Sequence, residues 1–192
     1  MKLSIAEGLM LIALDDDEGR LLAAAEHSID KGLIASCILE LSLSKKVSFQ
    51  GGKIVVNDSA GTGNKVLDSV LKGIGNGGDS VVQTIDRLAP GFDHIQDELI
   101  DLLVQRGILS VESTKLLFIP ISEFEQEIRD ILKAVVLKGQ KPSPAVVVLM
   151  CMITYCKILE EVFPEEDELI DAIKVAKDIV RMGVVDSETK AV

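Results

Sequence analysis

The stretch KKVSFQGGKIVVND, residues 45–58, constrains the fold more than any other part of the chain. Two runs of β-preferring residues flank Gly51-Gly52, and a two-residue turn of this kind sets both a hairpin and its register. The turn pairs Gln50 with Lys53, Phe49 with Ile54, Ser48 with Val55 and Val47 with Val56. Cross-strand partners share a face. Val47, Phe49, Ile54 and Val56 therefore form one apolar interaction face, expected to be covered by the domain itself or by a partner protein. The tip, Gln50 to Lys53, is polar and offers little to lipid tails.

Around the hairpin the chain reads as a succession of helices. Ser4 and Glu7 have the spacing of a capping box ahead of GLMLIAL, a buried first helix. DDDEG at 15–19 is a turn. Two helical segments follow, Arg20 to Asp30 and Leu33 to Ser44, split at Gly32. A helix through NKVLDSVLK, a flexible loop GIGNGG and a helix DSVVQTIDRL come after the hairpin. Pro90-Gly91 resets the chain for a helix ending at Arg106-Gly107. A second hairpin is expected in GILSVESTKLLFIPI, turning near Glu112 to Thr114. Ser122 with Glu125 repeats the capping-box spacing, and Pro144 opens a very apolar helix through Glu161. The last helix begins with acids and ends before Gly183, as the helix dipole and glycine C-cap preferences favour. No repeat or low-complexity tract divides residues 1–192, so the expectation is a single, mainly α domain with one or two short hairpins.

Composition excludes several function classes. The 192 residues are 47% hydrophobic and 27% charged, a globular balance, with only 3% aromatic residues, so contacts rest on aliphatic side chains. The net charge is −11. Neither half is basic, with 9 basic against 13 acidic residues over 1–96 and 11 against 18 over 97–192. No nucleic-acid partner is expected from such a chain, even though LVQRGILSVESTKLLFIPI has the order of a helix and a wing. The longest apolar run, Ala145 to Cys156, falls short of the ~20 residues a membrane span needs. Glu7 interrupts the first apolar stretch and no small-residue cleavage site follows, so no signal peptide is expected. Three cysteines, Cys37, Cys151 and Cys156, form no staple pattern and point to a reduced, cytoplasmic setting.

No motif brings an enzyme's chemistry. GIGNGG matches G-x-G-x-x-G, but the dinucleotide fingerprint needs a preceding strand and the segment before it is helical. GTGNK lacks the spacing of a phosphate loop. Asp15, Asp17 and Glu26 fall at positions 1, 3 and 12 of a calcium loop, yet Arg20 stands where glycine is required. Cys151 and Cys156 lie on different helix faces without histidine companions and read as core thiols, so no metal or cofactor is expected. His27 and His94 adjoin no nucleophile motif. A nucleotide or small-molecule binder built on the glycine loops is the weakest of the readings.

Several stretches, taken together and in order, resemble the Golgi phosphoprotein 3 family. They are LSIAEGLMLIALDDDEGRLL at 3–22, GLIASCILELSLSKKV at 32–47, KIVVNDSAGTGNKVLDSVL at 53–71, LVQRGILSVESTKLLF at 103–118, and ILKAVVLKGQKPSPAVVVLMCMITYCKILEEVF at 131–163. Gly61 stands where the family has proline and Asn64 where it has aspartate. The resemblance implies apolar helices ringed by amphipathic ones. It also implies a non-enzymatic, peripheral membrane adaptor that binds phosphatidylinositol 4-phosphate through a tryptophan and basic residues, and self-associates through a protruding hairpin.

The lipid site does not carry over onto this sequence. The family's tryptophan falls at Ala25, one arginine at Ile34, and the paired basic residues at Glu127 and Asp130. Carboxylates facing a phosphate repel it. A shift of one or two residues would instead present Arg129 and Lys133. The chain thus resembles a short prokaryotic-type member, with lipid head-group binding expected to be weak or lost. The alternative is a homo-oligomeric or peptide-binding scaffold with no lipid role.

Overall fold

The computed structural model describes residues 3–15, 20–92, 94–112, 117–120 and 122–189. The fold is mainly helical, as the sequence implies. Its centre is α1 (Ile5–Ala13), in which every residue is buried. A helix that is apolar all round is stable only inside a core. Around it pack α2 (Ile29–Leu43), α5 (Ile95–Gln105), α6 (Ser122–Lys138) and α7 (Pro144–Tyr155). The capping box at its start is formed: the Ser4 hydroxyl accepts from the Glu7 N–H at 3.1 Å, and the Glu7 carboxylate accepts from the Ser4 N–H at 2.6 Å.

Two features tie the start of α1 to its neighbours. The Ile5 N–H donates to the Glu40 carboxylate of α2 at 2.7 Å. The Arg106 guanidinium, at the end of α5, pairs with Glu7, whose side chain is 1% exposed. Burial raises the Glu40 carboxyl above its ordinary range, with the Ile5 N–H opposing that shift and Glu7 adding to it.

The expected helix over Arg20 to Asp30 does not form. Instead Leu14 and Leu21 make an antiparallel bridge, and the Leu22 N–H donates to the Ala13 carbonyl at 2.9 Å, pulling the segment back along α1. Residues 23–28 then turn into α2. Gly32 does not split α2 but lies within it. A Cβ there would stand 2.7 Å from the Cys156 sulfur, so the glycine serves close approach of α2 to the end of α7.

The first hairpin, β1 (Val47–Gln50) and β2 (Lys53–Val56), has the expected register at all four pairs. Val47 and Ile54 are buried and Val56 packs against the core, but Phe49 remains 41% exposed. Three of the four residues of this face are covered by the domain itself, and Phe49 is the one that is not. The sheet order is β1-β2-β3, which leaves β1 at an edge and Ile54 on the central strand.

The third strand corrects the reading of GIGNGG as a flexible loop. Gly73 and Ile74 finish α3 (Lys65–Ile74), and β3 (Gly77–Ser80) pairs antiparallel with β2 through Lys53↔Ser80 and Val55↔Gly77. Gly77 has φ +76, and a Cβ there would meet the Ile54 carbonyl at 2.5 Å, so only glycine lets the strands close. Ser80 then caps α4 (Val81–Leu88) through a capping box with Gln83.

A 3-10 turn at Ala89–Gly91 leads into α5, which ends at Arg106-Gly107 as expected. The second hairpin is present as β4 (Leu109–Glu112) and β5 (Leu117–Pro120), paired antiparallel. Its expected turn lies mostly outside the described residues, as do the Ser122 side chain of the second capping box and Asp17 of the calcium-like spacing.

The apolar helix from Pro144 stops at Tyr155 and not at Glu161. The Ile158 N–H donates to the Ile153 carbonyl and the Lys157 N–H to Thr154, with Lys157 at φ +61. This pairing is a Schellman motif, which satisfies the last carbonyls and ends the helix. After the short α8 (Leu159–Val162), α9 (Glu166–Thr189) runs through Gly183. One glycine inside a helix costs only about 1 kcal/mol, too little to stop it.

Candidate functional site

The four positions that the resemblance assigns to a lipid head group carry no basic side chain and fall into two unlike environments. Ala25 and Ile34 are both fully buried in the core cluster, Ile34 on α2 and Ala25 in the turn before it. Glu127 and Asp130 lie exposed on α6, lining an open depression of about 560 Å³ together with Glu123, Gln126 and Gln140. Three carboxylates around that depression repel an anion.

The alternative basic pair is already engaged. The Arg129 guanidinium donates to the Glu125 carboxylate one helical turn earlier and to the Glu161 carbonyl of α8. Lys133 pairs with Glu168 of α9 at 3.1 Å. These bonds pin α6 to α8 and α9, so both cations serve packing of the helices. A phosphate would have to displace partners that are partly buried, where ion pairs are stronger than at the surface.

A second concavity, about 480 Å³, runs between α3 and α5 and is edged by Lys65, Asp68, Glu98 and Asp101. Asp68 accepts from the Thr62 N–H at 2.5 Å and from its hydroxyl at 2.7 Å, and these bonds hold its carboxyl below the usual aspartate range. They also close the Gly61–Asn64 turn. Asn64 accepts from the N–H groups of Val66 and Leu67 at 3.0 and 3.2 Å. Asparagine thus performs the N-cap role that aspartate would perform, which accounts for that departure from the family pattern. Among the described residues, no group of three or more His, Cys, Asp or Glu side chains is placed to hold a metal ion.

The most apolar surface feature is one that sequence reasoning missed. A groove of about 440 Å³ lies between α2, α4 and α7, lined by Ala35, Leu39, Val82, Ile85, Met152 and Tyr155 among others. Val82 is 68% exposed and Tyr155 49%. At its rim Lys31 and Asp86 join at 2.6 Å and tie α2 to α4. That bond is the main cause of a raised Lys31 ammonium pKa. The signal was present in the Val81-Val82 pair and in the lone tyrosine, but nothing local says that these fall on facing helices.

The cysteines are free thiols, with Cys37 and Cys156 buried and Cys151 half-buried. Burial pushes all three upward, Cys156 to about 11, which suppresses thiolate chemistry. Among the described residues, no helix is long and apolar enough to cross a membrane.

An apolar central helix ringed by others, two short hairpins and shallow grooves between helices define a compact helical domain. The chain belongs to the Golgi phosphoprotein 3 (GPP34) family, whose model matches residues 5–192. No curated protein matches it.

Proposed function

We propose that the chain is a non-enzymatic, cytoplasmic docking module of this family in which recognition of phosphatidylinositol 4-phosphate is weak or lost. One observation carries the proposal. Of the four head-group positions, Ala25 and Ile34 are buried apolar residues, while Glu127 and Asp130 are exposed carboxylates. Phosphate recognition requires donors, preferably cationic ones, aimed at the anion. Vesicle flotation tests this reading with phosphatidylinositol 4-phosphate, simple anionic and neutral lipids side by side. The expected result is no head-group-specific recovery at physiological salt; robust recovery with the 4-phosphate lipid alone overturns it.

A second reading, a protein-binding scaffold with no lipid role, draws support from the apolar groove between α2, α4 and α7. Val82 and Tyr155 expose more apolar surface there than a solvated helix face requires.

A further inference from the structure

We infer that the outward face of α9 is a self-complementary interface that pairs with α9 of a second copy, antiparallel and about a two-fold axis. The inner face of this helix is accounted for: Ala172 and Ala176 are buried, and Leu169, Val175 and Ile179 pack against the core. The outer face is not. Ile170 is 60% exposed and Ile173 39%, the two large apolar side chains left uncovered on this helix among the described residues.

These isoleucines belong to one stripe. Glu166, Ile170, Ile173, Lys177 and Arg181 follow one another at spacings of four and three residues, the spacing that keeps side chains on one face for helix–helix contact. All five are exposed. The stripe is acidic at its start, apolar in the middle and basic at its end. Asp167 and Asp171 extend the acidic end, and Lys174 extends the basic one. The helix dipole accounts for acids in the first turn. It does not account for Asp171, nor for Lys174 and Lys177, which stand mid-helix. Among the described residues neither lysine forms an ion pair. Asp178 interrupts this order and sits 3.9 Å from Arg181, and Asp186 and Glu188 follow further along the helix, beyond the five residues of the stripe.

A helix face of this kind matches itself when reversed. Placing the two-fold axis between Ile173 and Lys174 sets Glu166 of one copy opposite Arg181 of the other. The same axis sets Ile170 opposite the other copy's Lys177 and Ile173 opposite its Lys174, so the aliphatic stems of the lysines lie over the isoleucines, with Asp171 on the flank of the contact. Parallel pairing would set like charges together, so the charge order selects the antiparallel arrangement. An anionic membrane fits this face less well, because the acids at 166, 167 and 171 would meet its surface beside the lysines.

Sedimentation of the full chain over a concentration series, with exchanged charges, tests the pairing. Wild type should show a monomer–dimer equilibrium. Glu166→Lys/Asp171→Lys and Lys177→Glu/Arg181→Glu should each weaken it by about tenfold or more. Mixing the two variants should restore a dimer containing one copy of each. Because all four sites are exposed, melting of the monomers should stay close to wild type, and Ile170→Asp provides a monomerising variant without charge exchange. A wild type that stays monomeric overturns the inference, as does a dimer indifferent to both variants. Failure of the mixture to recombine, or anionic-vesicle binding by this face in place of dimerisation, overturns it equally.

Discussion

The Glu7–Arg106 pair makes a sharp test of how the core helix is anchored. The Glu7 side chain is 1% exposed and Arg106 38%, so the carboxylate is the partner that pays for desolvation. In Arg106→Met the aliphatic stem is kept and the guanidinium removed. Glu7 then retains the Ser4 N–H at 2.6 Å but faces the neighbouring Glu40 carboxylate without this cation. Removing one partner of a fully buried pair costs about 3–5 kcal/mol. Because Arg106 is over one-third exposed and screened by solvent, about 2–3 kcal/mol is expected here. For a chain of this size that lowers Tm by roughly 4–12 °C. Glu7→Gln removes the charge while keeping an acceptor for Ser4, so it should cost only about 1 kcal/mol. The double variant should then be more stable than the sum of the single losses by at least ~1 kcal/mol. Urea unfolding of the four proteins measures the cycle. An Arg106→Met loss below about 0.5 kcal/mol, or strict additivity, would refute the argument that a buried charge anchors α1 to α5.

Two further outcomes follow from local chemistry. Asn64→Ala strips the acceptor from Val66 and Leu67 and should cost about 1 kcal/mol, whereas Asn64→Asp should be neutral or better; equal losses in both, read from urea midpoints, would contradict the capping role. Glu40 is held above its ordinary pKa in the folded state, so the native protein binds its proton more tightly than the unfolded chain does, and stability should fall as pH rises from about 4.3 through the raised value. Glu40→Gln should flatten that fall in unfolding midpoints taken across the window, and parallel profiles for the two proteins would sink the assignment.

What the sequence disclosed depended on how local each determinant is. Gly51-Gly52 encodes a hairpin within two residues, and Ser4 with Glu7 encodes a helix start within four, so both could be read directly. Helix ends were harder. α5 ends on a Schellman motif whose left-handed residue is Gly107, and that end was legible. α7 ends on the same motif with Lys157 in the left-handed position, and nothing in the identity of a lysine announces it. Gly32 and Gly77 are ambiguous in opposite ways, since in sequence one reads as a break and the other as slack. Both are sites where another segment approaches too closely for a Cβ, and that segment is distant in sequence. The groove between α2, α4 and α7 and the arrangement around Glu40 and Arg106 are products of the same long-range packing.

The head-group positions show why loss of charge was legible while its depth was not. The letters at Ala25, Ile34, Glu127 and Asp130 are not the cations and the aromatic that the resemblance implies there. Only the fold separates them into two kinds. Glu127 and Asp130 stand on an exposed helix face, where a carboxylate and a basic residue are equally well accommodated. Ala25 and Ile34 are fully buried, so a large aromatic at 25 would overpack the turn before α2 and a guanidinium at 34 would be buried among aliphatic side chains. Overpacking alone costs about 1–3 kcal/mol, and an unpaired buried charge costs more. Reversing the charge on α6 would therefore supply only half of the constellation that the resemblance implies. The other half would require the core itself to be repacked, which makes the change at these positions structural as well as electrostatic.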